Sequence, residues 1–343
     1  MSLSTERSGR ASGADPATRL GHPVVDRYLE FVEARARRNT LLATASDLRV
    51  FFTEVDKEPE DVGATDVLGF ITAQRKPLFN GKVVRISDGE PGLSASTIKR
   101  RLSSVSGFFS YLVMIGERGS NPVPKDLTTR RSRKGHGALV PLVRTSRVLP
   151  KILEPTEVDA LIAALRRWRD RAMVEAMVLG GLRRCEVLGL RIQDLRPGEG
   201  RVFVNEGKGG HQRLIPISQR FFRSVAVYLA TERPEDSSTE QLFVVLKGPR
   251  RGQPLSEDGL DEIVRYTRDR IGLSHGTCHE LRHTCLTRLR EAGMALEAIQ
   301  TQAGHRSIET TRIYLHLSNE WLADEYARAI SLIDSTVLEV VGQ

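Results

Sequence analysis

The chain has 343 residues, 40% of them hydrophobic and 27% charged, with a formal net charge of +8. That length suffices for two domains with their own cores, and the composition excludes a fibrous or low-complexity protein. The basic balance favours a polyanionic partner, because clustered Lys and Arg create a potential that attracts phosphates.

Residues 1–21 are polar, rich in Ser and Gly, and read as disordered. They lack the apolar core of a secretory signal, and no run reaches the ~18 apolar residues a membrane helix needs. Cys185, Cys278 and Cys285 form no disulfide framework and suit a reducing compartment. A soluble, cytoplasmic protein with no membrane partner is expected. Helical periodicity then recurs over 23–38, 40–56, 64–75 and 95–116. In the last block Ile98, Leu102, Val105, Phe109 and Leu112 make one apolar stripe. Lys99, Arg100 and Arg101 cluster near its start, where they can face a phosphate backbone or simply form a solvated turn. Residues 77–94 carry loop chemistry, and the prolines of 119–125 close a helical domain spanning 22–125.

Residues 126–150 hold six Lys or Arg against one Asp, with neither helical nor strand periodicity. They read as a basic interdomain linker whose Arg130, Arg131, Arg133 and Lys134 can track phosphates. A second domain, 151–334, opens with Pro155 and a capping box of Thr156 and Asp159. Helices are expected at 169–180 and 183–190. Strands follow at 201–206 and 212–217, around the turn Gly207-Lys208-Gly209-Gly210. The remainder reads as helical, with breaks at 232–240 and 247–256, before a tail at 335–343.

Four segments concentrate chemistry: Gly181-Leu182-Arg183 with Glu186 and Leu190; Gly207-Lys208-Gly209 with Arg213 and Pro216; His279 with Leu281-Arg282-His283; and Gly304-His305 with Thr311 and Tyr314. In this order they resemble the tyrosine recombinase (phage integrase) family, of the Xer/integrase type. The likeness extends from about residue 22 to 334, because 96–123 is similar to the last helix of that family's core-binding domain. It implies a mainly α protein with a small β-sheet or hairpin. Its parts would be an N-terminal helical core-binding domain and a C-terminal α+β catalytic domain. The family's Leu-Gly-His is Ala303-Gly304-His305 here, with a smaller first residue.

The resemblance implies that Tyr314 is the nucleophile and that DNA is cut and rejoined through a 3′-phosphotyrosine, with no cofactor and no metal. Arg183 and Arg282 would clamp the phosphate, since guanidinium forks match its oxygens. Lys208 would protonate the leaving 5′-oxygen, His279 would act as acid/base, and His305 would donate a hydrogen bond. Glu186 would orient an arginine. Arg184 beside Arg183 is ambiguous from the residues alone, and Cys185 reads as a small buried side chain. The implied partners are a double-stranded DNA site and further copies of the chain, as a tetramer that could use an amphipathic helix at 318–334. Integration, excision or transposition of an element and Xer-like resolution of multimers both stay open.

Rival readings exist. His279-Glu280-Leu281-Arg282-His283 also satisfies H-E-x-x-H, a zinc-hydrolase pattern, with Cys278 and Cys285 flanking it. Arg282 between the two histidines would repel the metal, and Leu286 stands where the extended pattern needs Gly. A catalytically dead DNA-binding protein would leave the filled chemical positions unexplained. A relaxing topoisomerase shares the chemistry without strand exchange.

Overall fold

The structure is a computed structural model that describes residues 18–76, 92–124, 126–127, 140–144, 151–205 and 212–305. The chain divides into two compact units, Met1–Arg147 and Val148–Gln343.

Among the described residues, the first unit is built on four helices: α1 (Pro23–Arg35), α2 (Arg38–Val55), α3 (Ala64–Arg75) and α4 (Ala95–Met114). Their apolar stripes close a core in which Phe51, Phe52, Phe70, Phe108 and Phe109 meet mainly edge-on. α4 lies hard against α1 at Gly107, where a Cβ would stand 2.8 Å from the Tyr28 hydroxyl. Residues 18–20 belong to this unit, against the expectation of disorder through 21. Leu20 is buried in the core, and Asp26 accepts from the Leu20 and Gly21 N–H groups at 2.7 and 3.2 Å. The expected linker also differs. Asp126–Leu127 (β1) pairs antiparallel with Val140–Pro141 (β2), and Leu142 and Val143 pack on the first unit's core. A two-residue strand is too short for any periodicity to reveal.

The second unit runs α5 (Pro155–Ala164), α6 (Trp168–Val178), α7 (Arg184–Leu188), β3 (Leu195–Arg196), β4 (Arg201–Val204), β5 (Arg213–Pro216), α8 (Gln219–Thr231), α9 (Glu257–Arg270), α10 (Cys278–Glu291) and α11 (Leu296–Ala303). The strands form one antiparallel sheet in the order β3-β4-β5, with Val204 opposite Arg213 and Arg201 opposite Pro216. α6 is the central helix. Its Ala172–Val178 stretch is buried on every side, and it packs on both α8 and α10.

Two local expectations are corrected. α5 starts two residues earlier than the Thr156–Asp159 pair implies: Glu154 is the N-cap, and Glu157 accepts from its N–H at 2.8 Å. Pro155, with no N–H to satisfy, takes the first helical position. Residues 241–246, expected to be helical, run extended instead. Leu242, Phe243 and Val244 are wholly buried, and Leu242 N–H donates to Leu190 O at 2.7 Å. Buried on both faces, such a run has no alternation to read. The short strand β3 carried no sequence signal either.

Candidate active site

Arg183 owes its place to two glycines. Gly181 has φ +67°, and a Cβ there would meet the Leu286 side chain of α10 at 3.1 Å. At Gly180 a Cβ would lie 2.7 Å from Ile217 and 2.9 Å from the Ala176 carbonyl. The chain can therefore turn sharply between α6 and α7 against α10, leaving Arg183 as the N-cap of α7. α11 ends at Gly304, with φ +60°, so the chain reverses and presents His305 beside the same turn. Two contacts hold His305 in place: its N–H donates to Gln300 O at 3.1 Å, and its carbonyl accepts from Gln300 Nε2 at 3.1 Å.

At the centre stands Glu186, whose carboxylate is wholly buried. Its Oε1 accepts from Arg183 Nη1 at 2.7 Å and Arg213 Nη1 at 3.0 Å; its Oε2 accepts from the Arg183 N–H and Arg213 Nη2, both at 2.9 Å. Arg282 Nη1 lies 3.8 Å from Oε2. Burial alone would raise this carboxyl's pKa. The bonds and charge of Arg213, then Arg183, outweigh burial and hold it below the usual range. Three guanidiniums thus surround one carboxylate, an excess of positive charge in a half-desolvated site.

The arginines also hold backbone. Arg282, 3% exposed on α10, donates to Gly181 O, to Ala303 O at 2.7 Å and to His305 Nε2 at 3.2 Å. Arg183 Nη2 donates to Gly304 O at 3.1 Å. Because arginine only donates, this contact makes His305 Nε2 an acceptor, and a neutral ring then carries its proton on Nδ1. His279 and His283, one turn apart on α10, meet edge to face with Nε2 atoms 2.8 Å apart. Burial, reinforced by the arginines, lowers all three imidazoles, His283 and His305 to about 4. At neutral pH they are uncharged.

The described residues thus bring together Arg183, Glu186, His279, Arg282 and His305. Lys208 and Tyr314, like Arg130, Arg131, Arg133, Lys134 and the 318–334 segment, lie outside the described residues. Arg184 turns away and pairs with Glu257 and Asp261 of α9, which leaves the inward position to Arg183. Cys185 is exposed, contrary to expectation, because Glu186, Val187 and Leu188 take the buried face of α7. In the first unit Lys99 is exposed. Arg100 pairs with the buried Asp47 at 2.6 Å, and Arg101 bonds the Gln74 side chain. Sequence reasoning left Arg213 and His283 without roles, though both stood in the quoted motifs. It missed Gln302, whose side chain donates to Gly180 O at 2.8 Å and Pro216 O at 3.1 Å.

The zinc reading loses its general base. Glu280 caps its own helix, accepting from the Gly276 and Thr277 N–H groups at 2.8 Å each. Burial also pushes the Cys278 and Cys285 thiols up to about 11 and about 12, which disfavours thiolate ligands.

Residues 151–320 match the phage integrase family. The chain is 31% identical over 301 residues to tyrosine recombinase XerC of Thermodesulfovibrio yellowstonii, covering 85% of this chain and 90% of the relative. The chain belongs to the phage integrase family of tyrosine recombinases. It is therefore an enzyme of the class that cleaves and rejoins DNA in site-specific recombination. Tyrosine recombinase XerD of Listeria monocytogenes is 28% identical over 319 residues, 88% of this chain and 97% of the relative. The fold is shared with the Tn1549 transposon integrase, solved in complex with a circular intermediate DNA: TM-score 0.63, 18% identity, covering 89% of this chain and 99% of that one. Among the described residues, no helix is long and apolar enough to cross a membrane.

Proposed function

We propose that this recombinase cuts each strand with Tyr314 while Arg183 and Arg282 hold the scissile phosphate. The observation that carries the reading is the set of guanidiniums around Glu186. A phosphodiester brings one negative charge and its pentacoordinate transition state brings two, so three cations against one carboxylate suit the transition state better. His279 takes the phenol proton as the tyrosine oxygen bonds to phosphorus, and the bond to the 5′-oxygen breaks. Lys208 protonates that leaving oxygen, and His305 donates to a non-bridging oxygen. The 3′-phosphotyrosine conserves the bond energy, so a 5′-hydroxyl reseals the strand without ATP or metal.

The partner is double-stranded DNA, engaged by four copies of the chain in the cytoplasm, with segment 318–334 docking between copies. Lys99 and the basic residues Arg130, Arg131, Arg133 and Lys134 track the backbone. Similarity to XerC and XerD over nearly their whole lengths favours resolution of DNA multimers. Integration or transposition of an element is the other reading, favoured by the shared fold of the transposon integrase. A nicked suicide substrate tests the chemistry: the wild type should accumulate a covalent protein–DNA adduct and Tyr314→Phe none. An undiminished adduct in that variant removes Tyr314 from the role.

A further inference from the structure

We propose that Arg213 is a positioning residue for strand cleavage, which keeps Glu186 from neutralising Arg183 and ties the β4–β5 hairpin to the turn that carries His305. The inference rests on the reading of Arg183 and Arg282 as the phosphate clamp.

Arg213 is the first residue of β5 and only 10% exposed at its side chain. Both its terminal nitrogens are spent on the two oxygens of Glu186, at 3.0 and 2.9 Å, while Nε donates to Gln302 O at 3.2 Å. That is a bidentate fork with a third bond behind it, so the group faces inward and is not offered to a ligand. Besides its backbone N–H, Arg183 meets the same carboxylate with only one guanidinium nitrogen, Nη1, and rests Nη2 on Gly304 O. The guanidinium's single-point contact can be shared with an incoming phosphate.

The division of labour follows from competition. A buried carboxylate seeks the strongest pair it can make. With Arg213 present, Glu186 has its fork partner, and Arg183 keeps the geometry and charge to bind an anion. Without Arg213, the nearest fork is Arg183 itself. Closing a bidentate pair there would cancel the charge and occupy the face a phosphate needs.

Arg213 also stands under the α11 reversal. A Cβ on Gly304 would lie 2.8 Å from Arg213 Nη1, so the glycine is shaped to the guanidinium beneath it. Gln302 adds a second tie, from α11 to Pro216 at the far end of β5. Arg183, His305 and the base of the hairpin that bears Lys208 therefore share one buried joint.

Single-turnover cleavage of the nicked suicide substrate, followed from pH 5 to 9, tests the proposal in full-length Arg213→Met, Arg213→Lys, Glu186→Gln and the Glu186→Gln/Arg213→Met double variant. Arg213→Met should cleave about 100-fold more slowly, the scale of a misplaced reacting group, with DNA affinity within about 3-fold of wild type. Arg213→Lys, which restores charge but not the fork, should recover only part of the rate. The groups facing Glu186 are Arg183 on α7, Arg213 on β5 and Arg282 on α10, with His279, His283 and His305 at the margin. Losing Arg213 removes the largest influence that lowers the carboxyl, so Glu186 takes up its proton at higher pH; protonation removes the competitor, and the deficit of Arg213→Met should narrow toward the acid end. Glu186→Gln takes away the competitor, so the double variant should be no slower than Glu186→Gln alone.

Wild-type cleavage by Arg213→Met would overturn the proposal. So would a folded Arg213→Lys whose deficit is the same at every pH from 5 to 9, or a double variant slowed by the product of the two single effects. Arg183→Ala separates the two levels. If it cleaves normally, the clamp reading itself is wrong. If it is inactive while Arg213→Met is not, only the role of Arg213 fails.

Discussion

The Nε2 atoms of His279 and His283 stand 2.8 Å apart, too close for two lone pairs, so one proton lies between them. Protonating both rings would break that bridge. In the folded chain His279 lies below its ordinary value of 6.5, and His283 and His305 fall to about 4. As the pH drops below about 6.5, unfolded imidazoles take up protons while the folded ones resist. Stability is therefore full above that pH and drains as the pH falls toward 4. The depressed carboxyls of Glu186 and Glu280 add to the loss in the same direction. Thermal melting from pH 7.5 to 4.5 should show this slope, and His283→Gln should flatten it. The same variant frees the His279 ring, and cleavage should slow by about 10-fold. An unchanged slope in His283→Gln would rule out the shared proton.

The basic cluster on α4 should separate by role. Asp47, 1% exposed, accepts from Arg100 at 2.6 Å and Ser104 at 2.8 Å, with Arg101 alongside at 3.9 Å. Asp47→Ala leaves these donors without their acceptor and should destabilise the first unit by about 2–3 kcal/mol. Amide exchange in α2 and α4 under denaturant would measure it. Lys99→Ala should leave stability alone and lower the salt slope of DNA binding by about 1. If Arg101→Gln lowers that slope equally while the unit stays as stable as wild type, Arg101 belongs with the DNA contacts.

Glu280 offers a direct check on the metal reading. Its carboxylate caps α10, so Glu280→Ala should cost about 1 kcal/mol of stability. Glu280→Gln, which keeps an acceptor, should cleave the suicide substrate within about 3-fold of wild type. A chelator should leave the wild-type rate unchanged. Abolished activity in Glu280→Gln would instead make this residue part of the chemistry.

Much of this was legible in the residues. The α4 stripe repeats every three or four positions, so helix and core were both readable from Ile98 to Leu112. The four motifs named Arg183, Glu186, His279, Arg282 and His305 because each sits in a local pattern. What escaped depended on contacts between distant segments. Arg100 and Lys99 are equally basic in sequence, and only the fold puts Asp47 beneath one of them. Gln302 reaches Gly180 and Pro216 across 122 and 86 residues, which no spacing encodes. Cys185 turned out exposed because a five-residue helix has one buried face, and its orientation is set by Glu186. The Thr277–Glu280 capping box is itself a local pattern, but Glu280 also belongs to the H-E-x-x-H run, so spacing alone does not choose between cap and metal site.

Two of the bonds that close the arginine joint span long stretches of chain: 101 residues from Arg282 to Gly181, and 121 from Arg183 to Gly304. α7, with five residues, is too short to persist as a helix alone. During synthesis Arg183 must therefore wait on an unformed segment until α10 and α11 have left the ribosome and docked. The order of translation thus acts as a safety catch. A nascent or broken chain that stops before Ala303 is expected to have no assembled means of nicking DNA.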